Sequence, residues 1–322
     1  MSQPFETLPT HPTSEELIDK AFSRASRAGR AKQGHDAQQS MLQTAGNILS
    51  DNLENVVTAW PNFDELDPFY RDLADAVSSV DELRQHLSEV TWASRKTSDI
   101  RSEYQSRLRG VDVETARKLR KQAFARLADV TREVSDDLAA LADVREKLRQ
   151  MPDIRPDEPA IVIAGYPNVG KSSFVNSVTR ADNEIAAYPF TTTQVHVGHV
   201  ERDHIRYQLI DTPGLLDRPP ADRNEIENQA ISALEHLADA VIVMVDASGE
   251  CGFPIDVQLD LREDIETRFA DVPVLTVCNK SDRSTEVEAD HYMSVTEDEN
   301  VEGVLAATIE AIGYEPELPF EE

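Results

Sequence analysis

Two cysteines in 322 residues, Cys251 and Cys278, are too few for a disulfide framework and show no metal-ligand spacing, which points to a reducing compartment. Long apolar runs are also missing. The longest, such as Ala240–Val245 and Val272–Cys278, fall far short of the roughly 20 residues a membrane-spanning helix needs. No basic-then-apolar signal pattern opens the chain, so the expectation is a cytoplasmic protein without a membrane partner. Lysine is scarce, 8 against 24 arginines, and positive charge altogether is short: 32 Lys and Arg face 60 Asp and Glu, a net charge of −28. Because 40% of the residues are apolar and strongly patterned, disorder is excluded. The acid excess with few lysines reads instead as a solvating, halophilic surface.

The charge is unevenly shared. Residues 1–150 carry 21 basic and 25 acidic side chains (−4), whereas residues 151–322 carry 11 and 35 (−24). The first half reads as all helical. Thr13 and Glu16 form a capping box opening a helix to about Lys32, whose Lys20, Arg24, Arg27 and Arg30 make one basic stripe. Helices are expected over Asp36–Trp60, from Pro68 to Val77 behind the Asp67 cap, and from Asp81 to Arg109. Gly110 and Asp112 then introduce one long helix to Gln150. Residues 95–132 hold eleven basic side chains (Arg95, Lys96, Arg101, Arg107, Arg109, Arg117, Lys118, Arg120, Lys121, Arg126 and Arg132) against five acidic ones. That local reversal of sign suits phosphate contact and predicts a nucleic-acid face.

Residues 151–159, MPDIRPDEP, form a proline- and acid-rich linker. Beyond it, over residues 160–314, strands alternate with helices: strands at Ala160–Ala164, Gln194–Val200, Ile205–Ile210, Ala240–Val245 and Val272–Cys278, and helices at Lys171–Thr179, Asn224–Leu237, Ile255–Phe269 and Val301–Ile312. This predicts a mostly parallel sheet covered by helices, with ligands at the carboxyl ends of its strands. Residues 315–322 read as an acidic tail.

The motifs fall at those strand ends. Gly165-Tyr166-Pro167-Asn168-Val169-Gly170-Lys171-Ser172-Ser173 fits a P-loop, in which backbone N–H groups cradle phosphates, the lysine reaches the terminal oxygens and the hydroxyl ligates Mg²⁺. Asp211-Thr212-Pro213-Gly214 supplies an aspartate for the Mg²⁺ shell and a glycine amide that can sense a γ-phosphate. Asn279-Lys280-Ser281-Asp282 offers a carboxylate for the paired N1–H and N2–H₂ donors of guanine, which adenine lacks. Within Tyr188–Thr193, YPFTTT, a threonine could complete the Mg²⁺ shell. His196 and His199 lack a third ligand for zinc, and Gly249–Gly252 with Cys251 reads as a turn.

GYPNVGKSSFVN, YPFTTT, DTPG and NKSD, together with the opening FETLPTHPTSEELIDKAF, resemble the Nog family of Obg-related GTPases, as an archaeal, halophilic member. The resemblance covers nearly the whole chain. It implies an N-terminal helical bundle followed by a Ras-like P-loop GTPase domain, and a GTP hydrolase acting in large ribosomal subunit assembly, with rRNA or ribosomal protein docked on the helical domain. It assigns Lys171 to the β/γ-phosphates, Ser172 and Thr192 to Mg²⁺, Asp211 to the same ion through water, and Asn279, Lys280 and Asp282 to guanine. Two positions depart from the pattern. The usual Ser-Ala base-contact segment is matched only by Met293–Thr296, which makes Ser294 the candidate. Leu215 stands where Ras-like enzymes keep the glutamine that orients water, so hydrolysis is expected to be slow. Asn168 resembles the P-loop asparagine that ligates K⁺ in potassium-activated relatives; the alternative is that it only stabilises the loop. Rival readings are a GTP-bound placeholder that scarcely hydrolyses, and a translation-associated GTPase of the Drg or Obg kind.

Overall fold

The computed structural model describes residues 3–149, 154–179, 184–187, 194–219 and 223–315. They divide into two compact units. One contains Pro4–Glu65 and Ser78–Arg149; the other contains Leu66–Val77 with the described residues from 154 onward.

The first unit is a helical bundle of α1 (Ser14–Arg30), α2 (Gly34–Ala59), α4 (Val80–Leu108), α5 (Val113–Glu133) and α6 (Ser135–Arg149), with α3 (Pro68–Val77) belonging to the second unit. The predicted capping box starts α1: the Glu16 amide donates to Thr13 Oγ1 at 3.3 Å and the Thr13 amide donates to Glu16 Oε2 at 2.8 Å. Leu17, Leu42, Leu49, Leu53, Leu83, Ile100 and Leu108 are fully buried and form its core. Two glycines set the spacing, since a Cβ on Gly29 would meet the Met41 side chain and one on Gly46 the Arg101 stem.

The single long helix expected from Asp112 to Gln150 is instead two. Val134 leaves helical geometry at φ −100°, ψ 21°, and α6 starts afresh at Ser135. The local sequence supplies the reason. Ser135-Asp136-Asp137 is itself a helix-start composition, with acids in the first turn, and tertiary partners hold it there: Ser135 Oγ lies 3.0 Å from Ser14 Oγ and Asp137 Oδ1 2.7 Å from His86 Nδ1.

In the second unit α3 packs on α8 (Glu225–Leu237), where Ser232 Oγ donates to Asp72 Oδ2 at 3.0 Å. The sheet has the order β2 (Glu184–Ala187), β3 (Gln194–Arg202), β4 (Ile205–Asp211), β1 (Ala160–Ala164), β5 (Ala240–Asp246), β6 (Val274–Asn279) and β7 (His291–Tyr292). From β4 to β7 every pairing is parallel; β3 runs antiparallel to both β2 and β4. The β3–β4 reversal follows from loop length. Only Asp203 and His204 join them, at φ 50° and 66°, the tight hairpin turn that suits strand twist, and no crossover fits in two residues. Strands β1 and β5 are buried throughout, which is why they read as continuous apolar runs. The remaining helices are α7 (Lys171–Val178), α9 (Ile255–Arg268) and α10 (Val301–Ile312). Sequence reading missed β2 and β7, four and two residues long, below the length at which alternation can be detected. Among the described residues no helix is long and apolar enough to cross a membrane.

Candidate functional site

The site grows from the end of β1. Gly165, at φ 130°, follows the buried strand, and a Cβ there would run into the Met244 carbonyl of β5. Its amide donates to Leu216 O at 2.9 Å. At the far side of the loop Gly170 has φ 110° and would drive a Cβ into the Asn279 amide. Only glycine fits either position. Between them Pro167 is half-buried and Asn168 exposed at φ 64°, while Val169 is buried and its carbonyl accepts from Asn279 Nδ2 at 2.8 Å.

Lys171 opens α7 and is buried, its Nζ folded onto the carbonyls of Gly165 (2.6 Å) and Tyr166 (2.9 Å). Burial pushes its pKa down, against the opposing pull of Asp211 and Asp217. A cation so desolvated favours an anion beside it. Ser172 Oγ donates to Asp211 Oδ2, and Asp211 is fully buried at the end of β4. Burial raises the Asp211 pKa, in spite of the Ser172 hydrogen bond and the charges of Lys171 and His196. His196 Nδ1 stands 3.8 Å from Asp211 Oδ2. Asp211 Oδ1 is buried without a hydrogen-bond partner among the described residues. A buried, orphaned carboxylate oxygen next to a hydroxyl suits a hard cation, so Ser172 and Asp211 fit Mg²⁺. Ser173 is exposed on the next position of α7. Thr192, with the rest of Tyr188–Thr193, lies outside the described residues.

Gly214 turns at φ 81°, and both of its polar groups are engaged: the amide donates to Asp217 Oδ2 at 2.7 Å, and the carbonyl accepts from Arg218 Nη2 at 3.0 Å. Leu215 is fully buried, so it takes no part in polar chemistry.

At the end of β6, Asn279 links two loops, giving Nδ2–H to Val169 and accepting from the Val295 amide at 3.2 Å. Lys280, at φ 56°, pairs with Asp246 at 2.7 Å. Burial works to raise the Asp246 pKa, but hydrogen bonds from Lys280, Ser248 and the amides of Ser248 and Cys251 outweigh it and hold the carboxyl below its usual range. Ser294 is fully buried and donates to Asp282 Oδ1 at 2.7 Å, while Arg283 Nε approaches Asp282 Oδ2 at 3.0 Å. The structure therefore places the P-loop, Asp211, Gly214, Asn279, Lys280, Asp282 and Ser294 on the side of the sheet where the parallel strands β4, β1 and β6 end. Sequence reading missed Asp246, Asp217, Gln258, whose side chain bonds both backbone polar groups of Asp246, and the Tyr166–Phe253 ring contact at 4.5 Å. Asp246 had a signal, an acid ending a wholly apolar strand. The others had none.

A mostly parallel sheet whose first strand feeds a glycine loop and helix, with an Asp-x-x-Gly turn after β4 and an Asn-Lys-x-Asp turn after β6, defines the class of P-loop GTPases. Comparison with known proteins narrows it. Residues 5–155 match the NOG1 N-terminal helical domain, and residues 160–280 match the family described as 50S ribosome-binding GTPase. An uncharacterised Methanocaldococcus jannaschii protein is 34% identical over 291 residues, covering 87% of this chain and 81% of that one. Nucleolar GTP-binding protein 1 of Arabidopsis thaliana is 35% identical over 290 residues, covering 86% of this chain and 43% of its own. A crystal structure titled as nucleolar GTP-binding protein 1 from Plasmodium falciparum is similar at 31% identity and a TM-score of 0.46, over 51% of this chain and 90% of that one. The chain belongs to the Nog family. It spans less than half the length of the relatives named nucleolar GTP-binding protein 1.

Proposed function

We propose that this chain is a guanine-nucleotide switch that binds GTP and GDP with Mg²⁺, hydrolyses GTP slowly, and docks through its helical domain on the large ribosomal subunit during assembly. The observation that carries the nucleotide reading is Asp282, held by Ser294 at the same strand-end side of the sheet as the P-loop, where a fixed carboxylate selects guanine. In this reading Lys171 leaves the Gly165 and Tyr166 carbonyls for the β/γ-phosphates, and the loop amides from Asn168 to Ser173 face the phosphate oxygens. Ser172 and Thr192, with Asp211 through water, would hold Mg²⁺, and the ion would supply neutralisation of phosphate charge there. Leu215 is buried and orients no water, so chemistry waits on help from outside, a ribosomal partner or K⁺ at Asn168.

Docking is supported by the basic segment. Arg107 and Arg126 are spent on Glu103, Arg132 on Glu15 and Lys118 on Glu114. Arg95, Lys96, Arg109, Arg117 and Lys121 are exposed and make no ion pair among the described residues, which leaves them for phosphates. The family description of residues 160–280 and the names of the relatives point the same way.

Leu215 also keeps alive a second reading, a placeholder that binds GTP on pre-ribosomal particles with negligible hydrolysis. Single-turnover hydrolysis of radiolabelled GTP with and without large subunits separates the two. Stimulation by subunits is the expected result; an unchanged, near-zero rate favours the placeholder, and failure to bind GTP at all refutes both.

A further inference from the structure

Asp217 occupies the amide that a γ-phosphate must use. Its Oδ2 accepts the Gly214 N–H at 2.7 Å, and Arg218 closes the other side of the same residue through Gly214 O, itself anchored on Glu227 at 2.5 Å. Asp217 also lies close enough to bear on the charges of both Lys171 and Asp211, so its carboxylate stands in the anion-binding field of the loop. From these contacts we infer that Asp217 is a specificity residue that discriminates between nucleoside triphosphate and diphosphate, acting as an internal anion latched on the Gly214 amide. The inference rests on the nucleotide-binding reading above.

One N–H serves one strong acceptor. GDP brings no oxygen to Gly214, and the Asp217 latch stays closed at no cost. GTP brings a γ-phosphate that needs the same donor, so binding must break a charge-assisted hydrogen bond and move a carboxylate away from incoming negative charge. The latch therefore weakens GTP relative to GDP. It also joins nucleotide state to backbone position, because releasing Asp217 frees residues 214–218 to move, with Arg218 and its Glu227 anchor attached.

The position tolerates substitution. Asp217 is half-exposed, and its described side-chain hydrogen bond is to this amide alone. Asp217→Asn keeps the size but removes the charge, and Asp217→Ala removes the acceptor. The test measures dissociation constants of GDP and of the non-hydrolysable analogue GMPPNP for the full chain and both variants, with thermal midpoints to certify folding. The expected result is a GMPPNP affinity that rises roughly tenfold in either variant while GDP affinity stays within about twofold. An unchanged ratio of the two constants, or weaker GMPPNP binding, overturns the latch. A wild-type chain that binds neither nucleotide overturns the site reading, and the latch with it.

Discussion

Ser294 donates its hydroxyl to Asp282 Oδ1 at 2.7 Å, joining the loop after β7 to the turn after β6. The contact holds Asp282 in one rotamer with its second oxygen beside Arg283. A carboxylate fixed in this way accepts the N1–H and N2–H₂ pair of guanine. An amide in its place has one acceptor and one donor, a pattern that matches xanthine, whose C2 carries a carbonyl. Asp282→Asn is expected to weaken GTP binding about 100-fold or more and to bring xanthosine triphosphate to higher affinity than GTP, as read by competition against a fluorescent nucleotide.

Asn168 projects from the P-loop, exposed and at φ 64°. Asparagine tolerates that left-handed geometry better than most residues, so loop shape alone gives it a role. A K⁺ ligand role makes a separate demand. Replacing K⁺ by Na⁺ at equal ionic strength is expected to lower kcat several-fold for the wild type and to leave Asn168→Ala, which lacks the side-chain oxygen, unresponsive. Equal rates in the two salts would leave only the loop role.

Gln258 is buried on α9 and knits the end of β5. Its Oε1 accepts the Asp246 amide at 2.8 Å, and its Nε2 donates to Asp246 O at 3.1 Å and Phe253 O at 2.9 Å. Gln258→Leu strands all three backbone groups. It is expected to cost about 2–4 kcal/mol, measured by denaturant unfolding, and to weaken nucleotide binding by loosening the Asp246–Lys280 pair.

His11 is buried against Trp60, with ring centroids 5.9 Å apart, and neither ring nitrogen has a hydrogen-bond partner among the described residues. Burial first, and the charge of Arg145 second, push its pKa down to about 4. The folded ring is thus neutral where the unfolded one, titrating near 6.5, takes a proton. This contribution to stability is intact above pH 6.5 and is lost progressively as pH falls toward 4, by about 2 kcal/mol at pH 5. His11→Phe is expected to flatten that part of the pH–stability curve.

Helices with caps and strands with continuous burial were legible in the sequence: α1, α3 and β1 fall where Thr13, Asp67 and the apolar run of Ala160–Ala164 place them. The break at Val134 was not. The Ser135-Asp136-Asp137 start is a weak local signal inside a segment otherwise compatible with one helix, and it divides 113–149 only together with the Ser14 and His86 contacts to Ser135 and Asp137. The same divide runs through the site. Residues fixed by backbone need, such as Gly165 and Gly170, or by chemistry at a set spacing, such as Lys171 and Asp282, are visible as motifs. Asp246 acts through Gln258 and Lys280, which only the folded chain brings near, and the Asp217–Gly214 contact is local but belongs to no motif.

The central claim is that a guanine nucleotide is held over the P-loop, and Lys171 tests it most directly. Isothermal titration of the Mg²⁺-containing full chain with GTP, GDP and ATP, repeated on Lys171→Ala, is predicted to give saturable binding of both guanine nucleotides. ATP should be at least about 100-fold weaker, and the variant should lose GTP binding. Equal affinity for ATP, or a Lys171→Ala chain that binds GTP like the wild type, would contradict the account.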